Sequence, residues 1–134
     1  MKKAVIFDMY GVLLLKRYFF FEKGHMRMTE VVEELRMKGY KLFLLSNIYL
    51  TSGQHFKDKY PFLMLFDKTY FSSDTGFYKP DPRAYKQVLE ENDLKPEDCI
   101  FFDDTPRNVE AAKTLGIDAH VFKSPEETRK LLGI

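Results

Sequence analysis

The chain has no tryptophan and a single cysteine, Cys99. One cysteine excludes an internal disulfide, and its place at the head of an apolar run reads as a small buried hydrophobe in a reducing, cytoplasmic setting. Three histidines, His25, His55 and His120, share no ligand spacing, and there is no Cys/His zinc pattern, P-loop or G-x-G-x-x-G fingerprint. The longest apolar runs, such as Val12 to Leu15, are far too short to span a bilayer. Met1-Lys2-Lys3 leads directly into a strand pattern, without the apolar stretch and cleavage site of a signal peptide. With 21 basic and 20 acidic residues the formal net charge is +1, a balance that speaks against a nucleic-acid or membrane-surface partner.

Aromatic residues are abundant: thirteen Phe and eight Tyr, bunched in Tyr18–Phe21 and again over Tyr60 to Phe66. In a chain of 134 residues, read as one domain over 1–134, these first serve to enlarge a small core. The alternative is an exposed patch that serves self-association, as a homodimer, or contact with substrate.

Strand and helix signals alternate along the chain. Ala4 to Phe7, Lys41 to Leu45, Thr69 to Ser72, Cys99 to Phe102 and Ala119 to Phe122 read as short strands. Between them lie helical patterns. One is capped at Thr29, carries Met28, Val31, Val32 and Leu35 on a single face, and is closed by Gly39. A short one covers Gln54 to Lys59. Another opens at Asp81-Pro82 with Tyr85, Val88 and Leu89 inward. A further helix starts at Thr105-Pro106, with Val109, Ala112 and Leu115 inward and Gly116 at its close. Ser124-Pro125-Glu126-Glu127 is a capping box that begins the last. Residues 16–27 form an aromatic and basic connector without periodicity. The alternation predicts an α/β fold, a three-layer Rossmann-like sandwich around a five-stranded parallel sheet.

Two of these strands end in acid. Ala4-Val5-Ile6-Phe7 runs into Asp8, and Ile100-Phe101-Phe102 runs into Asp103-Asp104. A carboxylate at the tip of a buried strand is costly unless something there uses it. Ligands in such sheets bind beyond the carboxyl ends of the strands, where the winding reverses. With the first and fourth strands as central neighbours, Asp8 and Asp103 face one crevice.

Asp8-Met9-Tyr10-Gly11-Val12, Ser46-Asn47, Lys79-Pro80 and Asp103-Asp104 resemble, in chain order, the four motifs of the haloacid dehalogenase-like hydrolases. The resemblance spans nearly the whole chain. It implies that Asp8 is the nucleophile, and that Ser46, Asn47 and Lys79 bind the transferring phosphoryl group, with Ser46, Lys79 and Tyr10, at the family's acid/base position, also catalytic. It implies a Mg²⁺ ion held by Asp8, Asp103, Asp104 and the backbone carbonyl of Tyr10. The implied substrate is phosphorylated, small or macromolecular, and the implied reaction proceeds through an aspartyl-phosphate. Asn108, one helical turn beyond Asp104, either steadies the acidic loop or lies on a helix surface.

Two departures from the family pattern stand out. Phosphatases of the family carry a second Asp two residues after the nucleophile, where this chain has Tyr10. A phenol with an ordinary pKa near 10 is a poor base at neutral pH, and losing a positioned acid/base removes about 10² to 10⁴ in rate. The dehalogenases of the family share that Tyr, so metal-free dehalogenation of a 2-haloacid is the rival enzyme reading. They lack the Asp pair, however, and three converging carboxylates without a cation repel one another. A catalytically impaired scaffold of the same fold is the non-enzymatic alternative. The second departure is that only residues 16–27 occupy the place of a cap domain, so the cap is essentially absent and the cleft is expected to be open or covered by a neighbouring subunit.

Overall fold

The computed structural model describes residues 2–14 and 26–134. The run Tyr18–Phe21, His25 and most of the connector 16–27 lie outside the described residues, so the expectation of an absent cap is not addressed there. Five strands are described: β1 (Ala4–Phe7), β2 (Lys41–Ser46), β3 (Lys68–Phe71), β4 (Cys99–Asp103) and β5 (Asp118–Val121). All pair in parallel, in the order β3-β2-β1-β4-β5. The expected fold is the observed one, with β1 at the centre.

The helices are α1 (Met26–Met37), α2 (Gly53–Lys59), α3 (Ser72–Thr75), α4 (Pro82–Glu91), α5 (Pro106–Thr114) and α6 (Pro125–Leu132). Strand residues alternate between two cores. Val5, Phe7, Leu42, Leu44, Ile100 and Phe102 meet Met28, Val31, Val32 and Leu35 of α1 on one face. Ala4, Ile6, Phe43, Leu45 and Phe101 meet Tyr85 and Val88 of α4 and Val109 and Ala112 of α5 on the other. Strands covered on both faces carry no polar side, which is why β1 and β4 read as unbroken apolar runs. Each large side chain so buried contributes about 1.5–3 kcal/mol.

Several local expectations need correction. Thr29 does not cap α1; the helix already runs from Met26 and Thr29 lies within it. Ser72 does not end β3 but begins α3, its hydroxyl donating to Ile48 O at 2.8 Å and accepting from Ile48 N at 2.7 Å. A 3-10 turn over Pro61–Leu65 carried no periodic signal. The segment around it is core: Tyr60, Leu63 and Phe66 are buried, while Met64 is exposed. Gly39, at φ +88°, closes α1 as expected: its N–H donates to Arg36 O and that of Tyr40 to Leu35 O. Ser124 caps α6 by accepting from Glu127 N at 3.1 Å. Cys99 is fully buried and burial pushes its thiol up to about 11, so it is inert, as its apolar setting foretold. Among the described residues no helix is long and apolar enough to cross a membrane.

Candidate active site

The winding reverses at β1, with β2 and β3 to one side and β4 and β5 to the other. Phe7 and Phe102 are register partners, and Asp8 N donates to Phe102 O at 2.9 Å. Asp8 and Asp103 therefore leave adjacent strand tips together. One carboxylate oxygen from each of Asp8, Asp103 and Asp104 lies within 4.8 Å of the others.

Lys79 brings positive charge to this cluster from the loop before α4. Its ammonium donates to Asp8 Oδ1 at 2.9 Å, Asp103 Oδ2 at 2.8 Å and Leu45 O at 2.7 Å. All three ammonium donors thus have acceptors in the buried site, so none is left unsatisfied. Asp103 is fully buried and richly served, since Asn108 Nδ2 donates to Oδ2 at 3.1 Å and Thr105 N to Oδ1 at 2.9 Å. Of the two readings of Asn108, the structure selects the one that steadies the acidic loop. Tyr85 in turn donates to the Asn108 carbonyl at 2.7 Å. Burial, then the charges of Asp103 and Asp8, hold that phenol well above its ordinary range.

Asp8 sits in a balance of opposing effects. Desolvation raises its pKa, Lys79 lowers it, and the charges of Asp103 and Asp104 raise it again, leaving it at about 7. Among the described residues, the Lys79 ammonium serves two of these three carboxylates, Asp8 and Asp103. Hard oxygen donors converging this closely suit a small divalent cation such as Mg²⁺, which takes one or two carboxylates and fills its other positions with water or phosphate. Backbone geometry supports the same fit. Gly11, at φ +85°, leaves a space that its own Cβ would fill: the added atom would stand 2.2 Å from Asp104 Oδ2 and 2.6 Å from Asp104 Cγ. We expect Gly11→Ala to displace the Asp104 carboxylate and weaken Mg²⁺ binding at this candidate site by about 10–100-fold in calorimetry, the usual cost of disturbing the groups that orient a metal's ligands; unaltered affinity would refute this.

A cavity of about 220 Å³ opens over the cluster, lined by Asp8, Tyr10, Ser46, Asn47, Lys79, Asp104 and Asn108 together with Tyr49, Thr105 and Arg107. Every site residue expected from the sequence thus converges here except Asp103, which lies directly beneath. Asn47 differs from expectation in what its amide does. Its Nδ2 donates to Lys79 O at 2.8 Å while its Oδ1 accepts from Lys79 N at 2.8 Å, so it clamps the lysine's backbone across 32 residues of sequence. We expect Asn47→Ala to lower kcat at least about tenfold, because a misplaced catalytic group is costly, with little change in KM. A change confined to KM would return Asn47 to a binding role. Tyr10 packs edge-on against Phe56 at 6.2 Å. Tyr49 and Arg107 carried no motif signal. Their only trace in the sequence is position, just past Ser46-Asn47 and just past Asp103-Asp104.

Comparison with known proteins gives the following. The family model for haloacid dehalogenase-like hydrolases matches residues 19–116, a stretch holding Ser46, Asn47, Lys79, Asp103 and Asp104 but not Asp8. Phosphatase MT3486 of Mycobacterium tuberculosis is 32% identical over 113 residues, covering 84% of this chain and 52% of the relative. Acyl-CoA dehydrogenase family member 10 of Mus musculus is 34% identical over 108 residues, covering 78% of this chain but 10% of the relative. The chain thus spans about half or less of these proteins. Its fold is similar to that of a HAD family enzyme from Bacteroides thetaiotaomicron solved with magnesium and inorganic phosphate, at TM-score 0.75, 20% identity, and coverage of 92% of this chain and 95% of the other.

Proposed function

The chain belongs to the haloacid dehalogenase-like hydrolases, and on that premise we propose that it is a phosphohydrolase working through an aspartyl-phosphate on Asp8. The observation that carries the proposal is the Lys79 ammonium bridging Asp8 and Asp103, inside a cluster whose three carboxylates each bring an oxygen within 4.8 Å of the others, close enough to share one divalent cation. Relatives named as phosphatases, and the likeness of fold to an enzyme solved with magnesium and phosphate, support the same reading. The acting unit in this proposal is the single domain, with residues 16–27 in place of a cap.

In this scheme an Asp8 oxygen bonds to phosphorus as the ester P–O bond breaks, and the leaving alkoxide takes up a proton. Water then attacks phosphorus, which frees inorganic phosphate and restores the carboxylate. Lys79 favours the charged form of Asp8 against the desolvation that opposes it, and offsets charge gathering on the phosphoryl oxygens. Ser46 lines the same cavity and donates to one of those oxygens. Asp8, Asp103, Asp104 and the Tyr10 carbonyl would hold Mg²⁺, which supplies charge neutralisation when bound. Tyr10 is the weak point, because its phenol is poorly matched to general base work near neutrality.

Hydrolysis of a generic phosphomonoester with Mg²⁺, lost on Asp8→Asn, is the expected result. Halide release from a 2-haloacid without metal would favour the dehalogenase reading that Tyr10 suggests. Tyr10→Asp is expected to raise phosphatase turnover by about 10² or more, from the usual worth of a positioned acid/base. Unchanged or lower turnover would mean that Tyr10 is not what limits the reaction.

A further inference from the structure

A cavity of about 220 Å³ is smaller than the roughly 300–1,000 Å³ that takes up most of a drug-sized ligand. It has room for a phosphoryl group, and the rest of a phosphomonoester must lie over its rim. The rim is aromatic. Tyr49 lines the cavity beside Asp8 and Lys79, is 69% exposed, and stacks on Tyr78 with ring centroids 5.2 Å apart and planes 18° from parallel. Its neighbour Leu50 is 98% exposed. The fold gains almost nothing from burying either side chain.

Both rings of the stack are carried by anchored backbone. Ile48, which precedes Tyr49, is pinned through its N–H and carbonyl by the Ser72 hydroxyl. Lys79, which follows Tyr78, is clamped through its N–H and carbonyl by the Asn47 amide. The side chains that hold the lysine's backbone and the strand tip thus anchor the backbone on which the two rings stand, and the rings hold each other by stacking. An aromatic surface ordered in advance costs a ligand little to engage. Arg107, also lining the cavity, adds a planar cation at the same mouth.

From this arrangement we infer that Tyr49, backed by Tyr78, is a stacking subsite for the leaving group, and that the substrate is a phosphomonoester bearing a planar aromatic or heteroaromatic ring near its phosphate. This rests on the phosphohydrolase reading for the chemical step, though not for ring recognition. A sugar or short alkyl phosphate would leave the platform unused.

The test compares 2-(naphthalen-1-yl)ethyl phosphate with 2-cyclohexylethyl phosphate. Both release primary alcohols, so the comparison reads ring recognition and not leaving-group acidity. The intact protein with Mg²⁺ should favour the naphthyl ester by about tenfold in kcat/KM, the upper range for an aromatic stack. Tyr49→Leu should collapse that preference to under about threefold, while Tyr49→Phe, which keeps a ring, should retain it. Equal kcat/KM for both esters, or a preference that survives Tyr49→Leu, overturns the subsite and leaves the phosphohydrolase standing. If neither ester is hydrolysed, calorimetric binding of the same two compounds decides. A naphthyl preference that is lost in Tyr49→Leu upholds the subsite while the phosphohydrolase reading falls, and no preference overturns the subsite as well.

Discussion

Lys79→Met is expected to lower the unfolding free energy by about 3–5 kcal/mol near neutral pH, as removal of one partner from a buried ion pair does. The reason is the count of groups around the ammonium. Asp8 and Asp103 are both buried and both accept from Lys79, and Leu45 O takes its third proton. Methionine fills much the same space but leaves three buried acceptors short of a donor. Asp8 suffers most, because desolvation already pushes its pKa up and Lys79 is the main effect holding it down. In the variant its carboxyl should carry a proton at neutral pH and could not serve as the proposed nucleophile. Urea unfolding gives the first quantity, and the pH at which the proposed phosphatase activity appears gives the second. A loss under about 1 kcal/mol, in the range of an exposed pair, would mean that the lysine does not hold the acids together.

The second large effect concerns Asp8 in the metal-free protein. Its folded pKa of about 7 stands above the ordinary 3.8, burial being the main cause. The folded chain therefore binds more protons than the unfolded chain between those values. Stability from this group is fully present below the lower value and is lost as pH rises through the upper one. Between pH 5 and pH 7.5 the loss amounts to about 2–3 kcal/mol, at 1.36 kcal/mol for each unit of proton linkage. With a chelator present, the wild type should melt higher at the acid end of that window. Asp8→Asn, which never ionises, should abolish the difference and be the more stable protein at the upper end. On the proposed metal site, Mg²⁺ should raise the melting temperature of the wild type chiefly at the upper end, where the Asp8 carboxylate is charged. A wild type that gains stability as pH rises through this window would contradict the assignment.

The strand and helix pattern was legible because a doubly covered parallel sheet writes itself as unbroken apolar runs, with helical periodicity between them. The four inward residues expected on α1 are the four that are buried. Helix starts were read less well. Thr29 has the chemistry of a cap, yet the chain was already helical at Met26, because side-chain chemistry alone does not tell a cap from a position one turn later. The 3-10 turn at Pro61–Leu65 left no periodic trace, since an element this short has no repeat to show.

For the site, the division follows the range of the interactions. Sequence alone marked the acids, Asp8 and Asp103-Asp104 at the ends of apolar runs, while Ser46-Asn47 and Lys79 stood out only through the motif resemblance. A carboxylate where a buried strand ends is a local signal, and local signals survive in one dimension. Tertiary structure decided what those groups do to one another. It spent the Asn47 amide on the Lys79 backbone, turned Asn108 inward to Asp103, laid Gly11 against Asp104 and set Tyr49 on Tyr78 over the cavity. Several of these contacts join residues dozens of positions apart. Such pairings follow from the strand order and register, which no stretch of the chain encodes by itself.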